Sequence, residues 1–338
     1  MNKTANTILI TGACGEIGHG LIEKLSLSND RIITLDLDPL EKDLQKKIYK
    51  HYTGNILDKD LIFDIFNTHK PNIIFHLAAI LSTSAEKDPL AAHQVNVNGT
   101  LNILHTAGVL SEKNQKSVKF IFPSSIAVYG MPNLKSKKGA AKVGENEFLN
   151  PITAYGIHKL YCENIGIYFS CYFKSKNTIN SQYLDFRCLR FPGIISADTT
   201  PTGGTSDYAP EMLHFAAKDK KYSCFVRPDT KIPFMAMPDA VNALVQLTYA
   251  AKKNISSQIY NVSGFSACAK DIEIIIRSSF PNAKISYKVD TMRQNIVDSW
   301  PADINDSKAR KDWGWSPEYN FKSCFRNYLM PKISSKYN

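Results

Sequence analysis

Thr7-Ile8-Leu9-Ile10-Thr11-Gly12-Ala13-Cys14-Gly15-Glu16-Ile17-Gly18 is the stretch that decides the fold. Thr7 to Thr11 is an apolar run of the length of a buried parallel strand. Glycines at 12, 15 and 18 follow at once, and Leu21, Ile22 and Leu25 then recur at helical spacing. Strand, glycine turn and helix in this order form a cradle for a dinucleotide. Glycines permit the tight turn and let backbone approach a pyrophosphate. The helix N-terminus offers unpaired N–H groups and its positive dipole end to the anion. A lone glycine triplet is weak evidence, whereas one that leaves a first strand and opens a helix is specific. Ala13, Cys14, Glu16 and Ile17 complete the candidate cradle.

Outward from this stretch, strands alternate with helices. The second strand, Arg31 to Leu35, ends in Asp36, about 20 residues past the turn, where a carboxylate accepts from both ribose hydroxyls of adenosine. A 2′-phosphate would be repelled there, and Leu37-Asp38-Pro39 brings no cation, so the reading is NAD rather than NADP. A third strand, Tyr49 to Thr53, leads into Gly54-Asn55-Ile56, candidates for the adenine edge. A helix over 60–67 precedes a fourth strand, Asn72 to His76, which runs into Leu77-Ala78-Ala79, small residues that let backbone pass under a cofactor. The helix from Leu90 continues to Leu110 and carries Asn96 and Asn98, read as either structural or water-holding. The fifth strand, Lys119 to Phe122, ends in Pro123-Ser124-Ser125, at the strand end where open α/β sheets hold ligands. Met131 to Asn150 is polar and reads as a loop over the site.

The sixth strand is Asp185 to Arg190. Beyond it the pattern becomes irregular, with a helix from Tyr208 to Lys218, a strand from Ser223 to Arg227, and a helix opened by Met235 to Asp239 with Asp239 as its cap. This predicts an α/β fold: a doubly wound parallel Rossmann sheet over 1–190, rejoined around 235–263, and a smaller substrate-binding lobe over 191–330.

Composition narrows the class. The 338 residues carry a net charge of +10, but the lysines are spread, with few aromatics between them, which reads as solvated surface and not nucleic-acid binding. No run approaches the roughly 18 apolar residues of a membrane span. Only six residues precede the first strand, too few for a signal or transit peptide, so the cytoplasm is expected, or the mitochondrion if a presequence was removed. Seven cysteines without Cys-x-x-Cys, and eight histidines without His-x-x-x-His, predict reduced thiols and no metal.

Tyr155 and Lys159 stand one helical turn apart, in a helix begun by Pro151 and Thr153. An ammonium near a phenol favours the phenolate, so the pair reads as a general base held near working pH. The same spacing also occurs where the tyrosine packs and the lysine is solvated. Together, Gly12-x-x-Gly15-x-x-Gly18, Asp36, Leu77-Ala78-Ala79, Ser125 with Val128-Tyr-Gly130, and Tyr155-x-x-x-Lys159 resemble the extended short-chain dehydrogenase/reductase superfamily.

Within it, Pro192-Gly-Ile194-Ile-Ser196, Gly203-Gly-Thr205, Met235-Ala-Met-Pro-Asp239, Ser299-Trp300-Pro301 and Trp313-Gly-Trp315 resemble the short-chain type of L-threonine 3-dehydrogenase. The resemblance implies NAD-dependent oxidation of L-threonine at C3 to 2-amino-3-oxobutanoate. It implies Ser125, Tyr155 and Lys159 as the catalytic set, with Lys159 also on the nicotinamide ribose. Pro192 and Ile194 join the cofactor site by the same likeness, and Ser82, Thr205 and Trp300 join Ser125 and Tyr155 around the substrate. A homodimer through the Tyr155 helix is implied as well.

Three positions depart from the pattern: Ser125 for a usual Thr, Asn55 for a usual Asp, and Ala85 for a usual Gly. The alternative is an NAD-dependent nucleotide-sugar epimerase or dehydratase. Arg190-Phe-Pro-Gly193 lacks the Asn that branch carries, which weighs against it. A catalytically dead NAD-binding relative is disfavoured by the retention of Ser125, Tyr155 and Lys159 together.

Overall fold

The computed structural model describes residues 5–173, 183–201 and 203–337. Its first six strands are β1 (Thr7–Thr11), β2 (Arg31–Asp36), β3 (Lys50–Thr53), β4 (Ile73–His76), β5 (Val118–Ser125) and β6 (Leu184–Phe191). They are followed by β7 (Gly193–Ile195), β8 (Tyr222–Cys224), β9 (Lys231–Ala236), β10 (Ile259–Asn261), β11 (Phe265–Cys268) and β12 (Ile285–Tyr287). Seven of these form one parallel sheet in the order β10-β6-β5-β4-β1-β2-β3. The order reverses between β1 and β4, and this switch point opens a crevice at the carboxyl ends of those two strands.

The strands read as unbroken apolar runs because both faces of the sheet are covered. Ile8 and Ile10 enter one core with Leu21, Ile22 and Leu244, while Leu9 enters the other with Ile103, Leu104 and Phe120. A third core belongs to the C-terminal elements and includes Met212, Phe225, Phe234, Ile276 and Phe325. There β11, β9 and β7 form one small sheet, and β12 pairs with β8 in another.

Several local expectations change. β5 extends to Ser125, because its apolar partner β6 continues the register as far as Phe191. The helix expected from Leu90 carries a π-helical turn at Gln94–Gly99 before resuming at Thr100–Asn114. Met131 to Asn150 is not a free loop: it holds a short helix, Leu134–Gly139, and buries Lys137, Val143 and Glu145. Asp239 does not cap the helix Met237–Tyr249, whose N-cap is Ala236. Its buried carboxylate instead accepts from the Glu318 and Tyr319 amides at 2.8 and 3.0 Å, tying the C-terminal segment to the sheet.

Candidate active site

The glycine turn lies where β1 meets the switch point. Gly12 has φ +71°, and a Cβ there would lie 2.5 Å from the Ala78 amide nitrogen, so the turn needs glycine twice over. At Gly18 a Cβ would lie 2.4 Å from the Ala13 carbonyl oxygen, so the glycine lets helix and strand close. Gly15 starts the helix Glu16–Leu25, and no side chain among the described residues caps it. A Cβ at Gly15 would meet only the Gly12 carbonyl, at 3.4 Å, so the cradle is open where a pyrophosphate belongs.

Asp36 ends β2 beside this turn, its carboxylate accepting from the Cys14 amide at 2.8 Å. Burial, then the Asp36 charge, pushes the Cys14 thiol up to about 12, so this cysteine stays protonated. Asn55 turns its side chain back on the Leu57 amide at 3.0 Å, and Ile56 packs under Gly99. Leu77 continues β4 by donating to Thr11, and Ala78 backs onto Gly12. The Asn96 amide grips Ile80 from both sides, at 2.7 and 2.9 Å, and so fixes the end of the Leu77–Ala79 segment; Asn98 bonds Gln94 on its own helix. Pro192 and Ile194 flank and enter β7, on the chain leaving β6.

The wall beyond β5 is built from two locked pieces. Ser125 ends the strand, and its Oγ accepts from the Ala127 amide at 3.1 Å. The tyrosine helix, Ala154–Cys171, is capped by Thr153, whose hydroxyl accepts from the Gly156 amide. Gly156 is a contact requirement: a Cβ there would stand 2.1 Å from the Ala127 carbonyl oxygen. The helix start therefore presses directly on the turn after Ser125. Lys159 is buried and its Nζ donates to the Pro123 carbonyl at 2.7 Å, on the strand two residues before Ser125.

This geometry corrects the expected electrostatics of the pair. The Lys159 ammonium sits 5.6 Å from the Tyr155 ring centroid but is directed at Pro123. Tyr155 keeps part of its surface open, yet burial raises its phenol above the ordinary range, and Lys159 does not offset the rise. Burial also lowers Lys159 itself, to about 8.

A polar chain behind this wall was not apparent from sequence. His76, fully buried at the end of β4, receives the Thr11 hydroxyl at Nδ1 (2.7 Å) and meets Thr100 Oγ1 at Nε2 (2.9 Å). Thr100 donates its own hydrogen to the Asn96 carbonyl at 2.6 Å, so it must accept from His76, which fixes the Nε2–H tautomer. Burial, and then the Lys159 charge, lowers His76 to about 3 and keeps it neutral. The one sequence signal for it was a histidine ending an otherwise apolar central strand.

A second cluster joins residues far apart in the chain. Ser82 and Thr205 hydroxyls are 3.1 Å apart, across 123 positions, and Thr83 donates to the Gly203 carbonyl at 3.1 Å. Trp300 is buried, and its Nε1–H has no partner among the described residues. The preceding Ser299 carbonyl accepts from the Met131 amide at 2.7 Å.

Residues 8–263 match the model of the NAD dependent epimerase/dehydratase family. The chain belongs to that family. It is 32% identical over 325 residues to the mitochondrial L-threonine 3-dehydrogenase of Bos taurus, covering 95% of this chain and 81% of that protein. The X-ray structure of L-threonine dehydrogenase from Clostridium difficile is similar with a TM-score of 0.85 and 32% identity, over 99% of both chains. A monomeric L-threonine 3-dehydrogenase from a metagenome, in its apo form, is 37% identical with a TM-score of 0.83, over 98% of this chain and 100% of that one. The matched span contains the glycine turn and Asp36 at the end of β2.

Proposed function

We propose that the chain oxidises L-threonine at C3 with NAD, giving 2-amino-3-oxobutanoate and NADH. The observation that carries the reading is the Ser82–Thr205 hydrogen bond, which brings together two residues that the resemblance assigns to the substrate from segments 123 positions apart. Gly12 to Gly18, Asp36 and Leu77 to Ala79 hold the dinucleotide. NAD, when bound there, accepts the hydride from C3. Tyr155 takes the proton of the C3 hydroxyl as general base. Ser125 orients that hydroxyl and stabilises the developing carbonyl oxygen. Lys159, anchored on Pro123, holds the ribose side, and the cationic nicotinamide ring of bound NAD would offset the burial that raises the phenol. The orphaned Trp300 indole N–H suits the amino acid's carboxylate, and the resemblance assigns Ser82 and Thr205 to the same substrate.

The test is NADH formation at 340 nm with L-threonine, set against a panel of UDP- and GDP-sugars. NADH that does not depend on threonine sinks the reading. Tyr155→Phe is expected to cut turnover at least ~100-fold while cofactor affinity stays similar. Unchanged turnover would rule out Tyr155 as the base.

Residues 1–190 with 235–263 form the cofactor-holding part of this enzyme, and 191–330 the substrate lobe around that return. We place it in a reducing compartment, the cytoplasm, on its seven free cysteines. No helix among the described residues is long and apolar enough to cross a membrane. The assembly is a homodimer through the tyrosine helix. Ile157, Tyr161, Tyr168 and Tyr172 stand exposed along that helix, and a cavity of about 480 Å³ lined by Pro151, Ile157 and Tyr161 lies on the same face. Light scattering that returns a single 37.9 kDa species at micromolar concentration removes the dimer without touching the chemistry.

A further inference from the structure

One short helix, Thr291–Asp298, is tied near its start to the Gly203–Gly204 pair and leads at its end into Trp300. Near its start, Arg293 turns toward the Gly203–Gly204 pair. Its Nη2 donates to the Gly204 carbonyl at 2.6 Å and reaches the Gly203 carbonyl at 3.4 Å. The guanidinium carbon lies 3.1 Å from the Phe225 ring centroid, so the cation packs on an aromatic face. Its Nε–H is buried and has no acceptor among the described residues, so the pose leaves one of its own donors unmet.

The two glycines have no side chains with which to fix their own conformation, and Gly203 has φ +92°. They are gripped from outside instead. The Asp207 carboxylate accepts both of their amides, at 3.1 and 2.6 Å, and Arg293 takes the carbonyls. The next residue is Thr205, which meets Ser82.

The far end of the same helix is fastened separately. Arg227 makes a two-pronged pair with Asp298 at 2.8 and 2.9 Å, and Lys137 donates to the Val297 carbonyl at 2.8 Å. Trp300 lies two residues beyond Asp298. A single rigid element therefore sets the distance between Thr205 and Trp300.

We propose that Arg293 is a positioning residue, which fixes Thr205 against Trp300 and thereby sets affinity for the α-amino-acid end of the substrate. This rests on the threonine reading above. Arg293 touches neither substrate nor cofactor, so its loss weakens substrate capture more than it slows chemistry.

The test uses the full chain and steady-state kinetics with L-threonine, alongside a fluorescence titration of NADH. Arg293→Gln is expected to raise KM for L-threonine about tenfold or more, with kcat within about threefold and NADH affinity within about twofold. Arg293→Lys recovers only part of the loss, because an ammonium has no planar group to lay against the Phe225 ring. Thr205→Val raises KM too, and the double variant is no worse than the more damaging single change, because both act on one contact.

If Arg293→Gln does not fold, as judged by its melting curve, Arg293→Lys carries the test and must show the raised KM. An active wild type with unchanged KM in the folded Arg293 variant, or additive effects in the double variant, overturns this inference alone. A wild type that makes no NADH from L-threonine overturns it together with the functional reading.

Discussion

Glu163→Gln is the sharpest test of how the tyrosine helix is held. Glu163 projects from that helix into the interior, where both its oxygens accept from Arg190, at 2.8 and 2.6 Å. The two side chains are 0% and 1% exposed. Arg190 also donates to the Tyr129 hydroxyl at 3.0 Å and to the Glu145 carbonyl at 2.6 Å, and Tyr129 donates onward to Asn261 at 2.7 Å. Glutamine keeps the shape and removes the charge. Arg190 stays protonated, because a guanidinium keeps its proton at any working pH, so a buried cation is left without its counter-ion. Stripping one partner from such a pair costs about 3–5 kcal/mol. That is a large share of the roughly 5–15 kcal/mol that holds a typical domain folded. In a chain of 338 residues it corresponds to a melting temperature lower by roughly 4–7 °C. Urea unfolding followed by circular dichroism, with a melting curve beside it, measures both quantities. A Glu163→Gln variant within about 1 kcal/mol of the wild type would refute the reasoning, because the pair would then have to be hydrated.

Two further outcomes follow from the same contacts. Gly156→Ala places a Cβ 2.1 Å from the Ala127 carbonyl oxygen, a backbone atom that cannot swing aside. It is expected to destabilise by about 1–3 kcal/mol or more and to lower turnover by lifting Tyr155 off the Ser125 turn; a melting curve and an assay unchanged from wild type would count against the close approach. His76 is lowered from 6.5 to about 3 in the folded chain, so between those values the unfolded chain binds more protons. Stability from this group is therefore present above pH 6.5 and declines as pH falls, by up to about 1.4 kcal/mol per pH unit. Urea midpoints measured from pH 7 to pH 5 should show the decline, and His76→Asn should flatten it; an equal slope in both proteins would sink the assignment.

The parts legible in sequence were those written in local periodicity. The β1–glycine–helix unit, the six leading strands and Asp36 at the end of β2 all lie where apolar runs and glycines put them. The parts that escaped are polar contacts between distant segments. Lys137 looked like a surface lysine in a polar loop, but its acceptor is Val297, 160 residues away, and only that carbonyl makes its burial tolerable. Asp239 looked like a helix cap until the Glu318 and Tyr319 amides claimed it. Ser82 and Thr205 belong together through a bond that no spacing rule encodes. The direction of Lys159 is the most instructive case. Helical spacing brings its stem near Tyr155, but a four-carbon chain lets the ammonium choose its acceptor, and it chose the Pro123 carbonyl.

That choice has a counterpart at two further inward positions of the tyrosine helix. Lys159 bonds Pro123 on β5, Cys162 donates to the Asn96 carbonyl in the π-helical turn, and Glu163 pairs with Arg190 on β6. Three neighbouring polar side chains of one buried face are each tied to a different element. An apolar face of the same volume would pack with comparable stability, since buried pairs are often no better than the hydrophobic groups that replace them. It would not, however, distinguish one rotation of the helix from another, and a small rotation moves Tyr155, the residue just before the Gly156–Ala127 contact. The polar face supplies register where the glycine contact at Gly156 supplies distance. Replacing the pair by Glu163→Leu with Arg190→Met separates the two contributions. Stability should return toward wild type while turnover stays at least about tenfold low, because orientation lost far from the chemistry is costly to rate. A double variant restored in both respects would mean that packing alone aims the phenol.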